Sequence, residues 1–145
     1  MYKHILLPTD GSELSVSAVR AGVQFAKEIG ARVTALHVTP PFHPIEMTPS
    51  VYTAHVEEHD AKARESAQRA LGAVTDAARA TGVSCTTVHR VSFSPYEAIV
   101  GLADEAGCDL IFMASHGRRG VAALLLGSET NKVLTHSKIP VLVTR

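Results

Sequence analysis

Five short runs rich in aliphatic and β-branched residues recur along the chain, and the segments between most of them repeat their apolar residues every three to four positions. The runs are Tyr2 to Leu7 (YKHILL), Arg32 to Val38 (RVTALHV), Ser84 to Val91 (SCTTVHRV), Leu110 to Ala114 (LIFMA) and Val141 to Thr144. Such alternation of strand with helix leaves few architectures open, because parallel strands need long crossovers and right-handed crossovers carry helices onto both faces of the sheet. The expected fold class is α/β, a doubly wound parallel sheet of five strands. LIFMA is apolar at every position, as a strand covered on both faces should be.

Punctuation of the helical segments agrees with this order. Ser12 is expected to cap a helix running to about Ile29, with Val16, Val19, Val23, Ala26 and Ile29 on one stripe and Gly30 as the stop. A second helix is expected from about His55 to Thr81, burying Ala67, Ala70, Leu71, Val74, Ala77 and Ala78 and ending at Gly82. Between the second strand and that helix lie Pro40, Pro41, Pro44 and Pro49, in a connection of about fifteen residues. Ser94-Pro95-Tyr96-Glu97 places a serine cap, a proline at the first helical position and a glutamate three residues after the cap. The helix it opens carries Ile99, Val100, Leu102, Ala103 and Ala106 and stops at Gly107, and a last helix runs from Ser128, its expected cap, to about Ser137.

The 145 residues are expected to form one domain spanning 1–145. Fourteen basic side chains balance fourteen acidic ones, which argues against broad nucleic-acid or anionic-membrane binding. No run approaches the length of a membrane span, the opening residues show no secretion signal, and Cys85 and Cys108 form no CxxC pair; a reducing cytoplasm is the expected setting. Both thiols are expected to be small core residues. Among eight histidines only His55 and His59 stand at i, i+4, without an HExxH motif, so a solvated helix face is expected there and no metal site.

In a doubly wound sheet, ligands bind outside the carboxyl ends of the strands where strand order reverses, so the loops after the first and fourth strands are the places to look. The first carries Asp10-Gly11-Ser12. The second opens the stretch MASHGRRGVAALLLGSETNKV, with Gly117, Gly120 and Gly127 inside eleven positions. Glycine permits positive φ or a close approach of backbone, and the amides of Gly127, Ser128 and Glu129 at a helix start would make an anion site, with charge added by His116, Arg118 and Arg119. The same spacing suits three glycines that merely shape a surface loop, and Asp10 suits a plain turn; spacing alone leaves both pairs of readings open. Neither GxGxxG nor GxxxxGK[ST] is present.

SHGRRGVAALLLGS, set between an apolar strand and a helix closed by IPVLVTR, resembles the universal stress protein family, whose nucleotide-binding members carry G-x2-G-x9-G-[S/T]. ILLPTDGSELS and SPYEAIVGLADEAGCDLIFMASHG are similar to the same family, so the resemblance covers the whole chain. It implies a Rossmann-like, adenine nucleotide alpha hydrolase-like fold with strand order 3-2-1-4-5 and helices on both faces. It further implies an ATP-binding stress-response module with at most slow hydrolysis, with or without magnesium. Carried over by motif, Pro8, Thr9 and Asp10 wall the adenine and ribose, and Val38 contacts the adenine. Met113 and Ala114 line the approach, Gly117 faces ribose and phosphates, and Gly127, Ser128 and Glu129 hold the phosphates through backbone amides and a hydroxyl. A homodimer through the C-terminal edge strand Val141 to Thr144 is the implied assembly.

One position departs from the motif. Ala114 stands where the first glycine belongs, and alanine tolerates positive φ poorly; the alternative it keeps open is a stress protein that binds no nucleotide and acts through dimer or partner contacts. A nucleotide-cleaving enzyme of the same architecture would advertise SGGxDS or HIGH, where this chain has PTDGS. A receiver domain would need an aspartate ending the third strand and a lysine ending the fifth, where Val91-Ser92 and Thr144-Arg145 stand.

Overall fold

The structure is a computed structural model that describes residues 1–43, 48–117 and 126–145. β1 (His4–Pro8), β2 (Arg32–Thr39), β3 (Cys85–Val91), β4 (Leu110–Ala114) and β5 (Val141–Thr144) form one parallel sheet in the order β3-β2-β1-β4-β5. Successive residues of the central strands serve opposite faces. Ile5 and Leu7 of β1, with Leu110 and Phe112 of β4, pack against α1 (Glu13–Ile29) and α2 (Pro49–Thr81). Leu6, Ile111 and Met113 pack on the other side with Ile99, Leu102 and Ala103 of α3 (Pro95–Ala106) and Val133 of α4 (Ser128–His136). The sheet is thus wound on both faces.

Strand order reverses between β1 and β4, and Pro8 decides where they part. The Thr9 amide donates to the Leu36 carbonyl on β2 (2.8 Å), and the His4 carbonyl accepts from Asp109, just ahead of β4 (2.9 Å), so along β1 the even-numbered backbone groups face β4. Pro8 is one of these and has no N–H to give. Register pairing of β1 with β4 ends at Leu6 and Ile111, whereas pairing with β2 continues to Pro8 and Leu36. A crevice opens beyond that point.

The expected helix boundaries are met at α1, where Ser12 accepts from the Ser15 amide (3.3 Å) and Gly30 closes the helix at φ 67°, and at α3, which begins at Pro95 and closes on Gly107. One boundary and one cap are corrected. α2 begins at Pro49 with Thr48 as N-cap, six residues before the expected start, because its first turns are largely exposed and carry no apolar stripe for a periodicity to reveal. They lean instead on the incoming loop: His59 Nε2 donates to the Pro40 carbonyl (2.9 Å), and the Phe42 ring meets both Tyr52 and His59 edge-on at 5.6 Å. His59 is therefore half-buried in a contact rather than part of a solvated face. α4 is capped by Gly127, not Ser128, which is its first helical residue.

Candidate functional site

The crevice between β1 and β4 widens into a cavity of about 460 Å³ at the carboxyl ends of the strands. Its walls come from the ends of β1 and β2, the end of β4 and the start of α4, together with the loop between β3 and α3. Pro8, Thr9, Asp10, Val38, Met113, Ala114, His116, Gly117, Gly127, Ser128 and Glu129 all line it. Arg118, with Arg119 and Gly120, lies outside the described residues.

The turn after β1 is knitted by its own short side chains. Thr9 Oγ1 and Ser15 Oγ stand 2.6 Å apart, the Asp10 amide donates to Ser15 Oγ (3.2 Å), and the Ser12 amide donates to Asp10 Oδ1 (3.0 Å). Gly11, at φ 77°, allows that last bond to close. The Thr9 carbonyl accepts from His37 Nδ1 (2.8 Å); since a carbonyl can only accept, Nδ1 carries the proton, and Nε2 faces Ser66 Oγ at 3.2 Å on α2. Asp10 thus stands at the cavity rim on a braced backbone.

Across the cavity the glycines have a job other than the positive φ that was one expectation for them. Gly117 and Gly127 are absent from the left-handed positions, and Gly127 has φ −59°. What each needs is room: a Cβ on Gly117 would lie 2.5 Å from Asp10 Oδ2, and one on Gly127 would lie 3.1 Å from the Ser115 carbonyl oxygen. Ala114 is the last residue of β4, an extended backbone that alanine adopts without strain. Its carbonyl accepts from Thr130 Oγ1 (3.0 Å).

The anion corner is narrower than expected. The Gly127 amide donates to the Ser115 carbonyl (2.8 Å) and is spent on the fold. α4 has no side-chain cap, so the amides of Ser128 and Glu129 open its first turn toward the cavity at the positive end of the helix dipole. The Glu129 carboxylate accepts from the Tyr96 amide (2.9 Å) and from Lys132 Nζ (3.2 Å). His116 Nδ1 pairs with Ser115 Oγ (2.9 Å), while its Nε2 is buried without a partner among the described residues. Near the β2 side, burial and then the neighbouring His37 hold the His89 imidazole below its ordinary value, and its Nε2 contacts Thr39 Oγ1 at 2.7 Å.

Ser15, Pro40, Ser92, Phe93, Pro95, Ile99 and Thr130 also line the cavity and were not foreseen. Pro40 follows Val38 by two residues and was within reach of the strand-end rule; Ser92 and Phe93 carry no motif. The lining offers a ligand both apolar contacts, from Val38, Phe93 and Met113, and an anion-binding helix start at α4.

The sequence model of the universal stress protein family matches residues 1–145. Universal stress protein MJ0531 of Methanocaldococcus jannaschii is 32% identical over 148 residues, spanning 100% of this chain and 83% of that one. The solved structure of MJ0577 from the same organism superposes with a TM-score of 0.75 at 29% identity, over 99% of this chain and 96% of that chain. A universal stress protein crystallised in complex with cAMP gives 0.66 at 27% identity, over 99% and 97%.

Proposed function

The chain belongs to the universal stress protein family, and from that premise we propose that it is a regulatory stress-response module that binds an adenine nucleotide, ATP foremost. The single observation that carries this reading is the cavity itself: about 460 Å³ at the switch point of the sheet, apolar at one end, with two outward helix-start amides at the other. That volume falls within the roughly 300–1,000 Å³ of small-molecule sites. The related protein crystallised with cAMP supports an adenine nucleotide as the ligand class.

In this reading Val38 and Met113 contact the adenine, with Pro8 and Thr9 shaping the same wall. Asp10 and Gly117 face the ribose. The phosphates take the amides of Ser128 and Glu129 and the Ser128 hydroxyl; the Gly127 amide leaves the set because Ser115 holds it. A magnesium ion carried with ATP would draw its ligands from phosphate oxygens and water. Hydrolysis is slow at most, since it needs a positioned water and charge stabilisation at the γ-phosphate, and Asp10 is engaged in its own turn. The strand conformation of Ala114 removes the objection of backbone strain that this position raised. The module works in the cytoplasm as a homodimer through β5; among the described residues no helix is long and apolar enough to cross a membrane.

Mass spectrometry of nucleotide carried through native purification tests the proposal. Wild-type protein is expected to retain ATP, and Gly117→Val to lose it, because the new Cβ would overlap Asp10 Oδ2. A wild-type cavity that stays empty and ignores millimolar MgATP would sink the nucleotide reading, and steady turnover well above a slow background would make the protein an enzyme instead.

A further inference from the structure

Helix α3 begins with an unusual shortage of partners. Pro95 has no N–H, Ala98 donates back to the Ser94 carbonyl (3.2 Å), and Ser94 makes no side-chain cap. The Tyr96 amide would be left an orphan at a helix start. Its acceptor comes from another helix, 33 residues away in sequence: Glu129 Oε2 at 2.9 Å. The same face of α4 continues the grip. Lys132 Nζ stands 5.6 Å from the centre of the Tyr96 ring, and the His136 ring centre lies 4.9 Å from it. Glu129, Lys132 and His136 follow one another at helical spacing, so a single stripe of α4 holds one residue of α3.

Both helix starts are walls of the cavity, Pro95 on one side, Ser128 and Glu129 on the other. We propose that Glu129 is a positioning residue: by capping α3 from the first turn of α4 it fixes the separation of the two walls. The ion pair with Lys132 adds little, because both side chains are well exposed (37% for Glu129, 49% for Lys132). What matters is the acceptor oxygen rather than the charge. The inference rests on the nucleotide reading for its ligand and on the Tyr96 bond for its geometry, and these are separable by measurement.

Glu129→Gln keeps an acceptor and removes the charge; Glu129→Ala removes both. Hydrogen exchange at the Tyr96 amide is expected to stay slow in the first variant and to quicken in the second. ATP binding, followed by calorimetry at a temperature where all three proteins are folded, is expected to weaken about fivefold in Glu129→Ala, the worth of one hydrogen bond. In Glu129→Gln it is expected to weaken less than in Glu129→Ala, because an acceptor oxygen stays. A Glu129→Ala protein that melts earlier but binds ATP like wild type would reduce the contact to a structural cap and overturn the proposal. So would equal weakening in both variants. If Tyr96 exchange follows the expected order while wild-type protein ignores ATP, the nucleotide reading is what fails, and the ligand role of Glu129 falls with it.

Discussion

Single residues carry consequences that depend on what surrounds them. His4 is 7% exposed in the middle of the sheet; Nε2 contacts Thr34 Oγ1 at 2.7 Å, and Nδ1 is buried without a partner among the described residues. Burial, and after it the Arg32 guanidinium, hold its imidazole below the usual 6.5, while Asp109 pulls the other way. Below pH 6.5 the unfolded chain therefore takes up the proton first, so this residue's contribution to stability is present above that pH and is lost as pH falls toward the lowered folded value. Urea unfolding between pH 7.5 and 5 is expected to show that slope in wild type and a flatter one in His4→Asn. Cys108 sits just ahead of β4, buried, its thiol pushed up to about 11 by burial first and by Asp109 second. Dithionitrobenzoate at pH 8 is expected to leave Cys108 untouched in the native protein and to modify it on unfolding.

Elements meet at distances that sequence patterns do not announce. Gly22 lets α1 lie close on the sheet: a Cβ there would stand 2.5 Å from Leu7 Cδ2 and 3.1 Å from Phe112 Cδ1. Gly22→Ala is expected to cost about 1–2 kcal/mol, overpacking outweighing the gain in helix propensity. Gly72→Ala, on α2 with nothing within 4 Å of the new methyl, is expected to gain up to about 1 kcal/mol, and denaturant midpoints compare the two directly. Both layers of helices and the stops at Gly30, Gly82 and Gly107 were legible, because apolar runs, helical stripes and left-handed stops each have one dominant chemistry; the order of the strands came only from the family resemblance. The start of α2 was hidden because its first turns bury little; Pro49 at the first helical position was the available sign, lost in a cluster of prolines. Gly127 displaced Ser128 as cap through a bond to Ser115, which is tertiary and invisible in a local window. In the cavity, residues at the ends of β1 and β4 were legible from position; Ser92 and Phe93 arrive from a loop with no signature.

For the whole molecule the open question of assembly falls on β5, an edge strand with half-buried side chains. The carbonyls of Pro140 and Thr144 accept from Ile111 and Ser115, so by alternation the backbone groups of Val141 and Val143 face outward from the sheet. Two copies joined there would satisfy a row of donors and acceptors that an isolated chain leaves to water. Val143→Pro removes an outward donor without touching the β4 ladder, and is expected to turn a dimer into a monomer of unchanged fold in analytical ultracentrifugation. A wild-type protein that sediments as a monomer at the same concentration would rule the assembly out. The bond from the Gly127 amide to the Ser115 carbonyl, beside that from Thr130 to Ala114, has a consequence of another kind. It pins the start of α4 to the end of β4, so these two walls of the cavity stand or fall together.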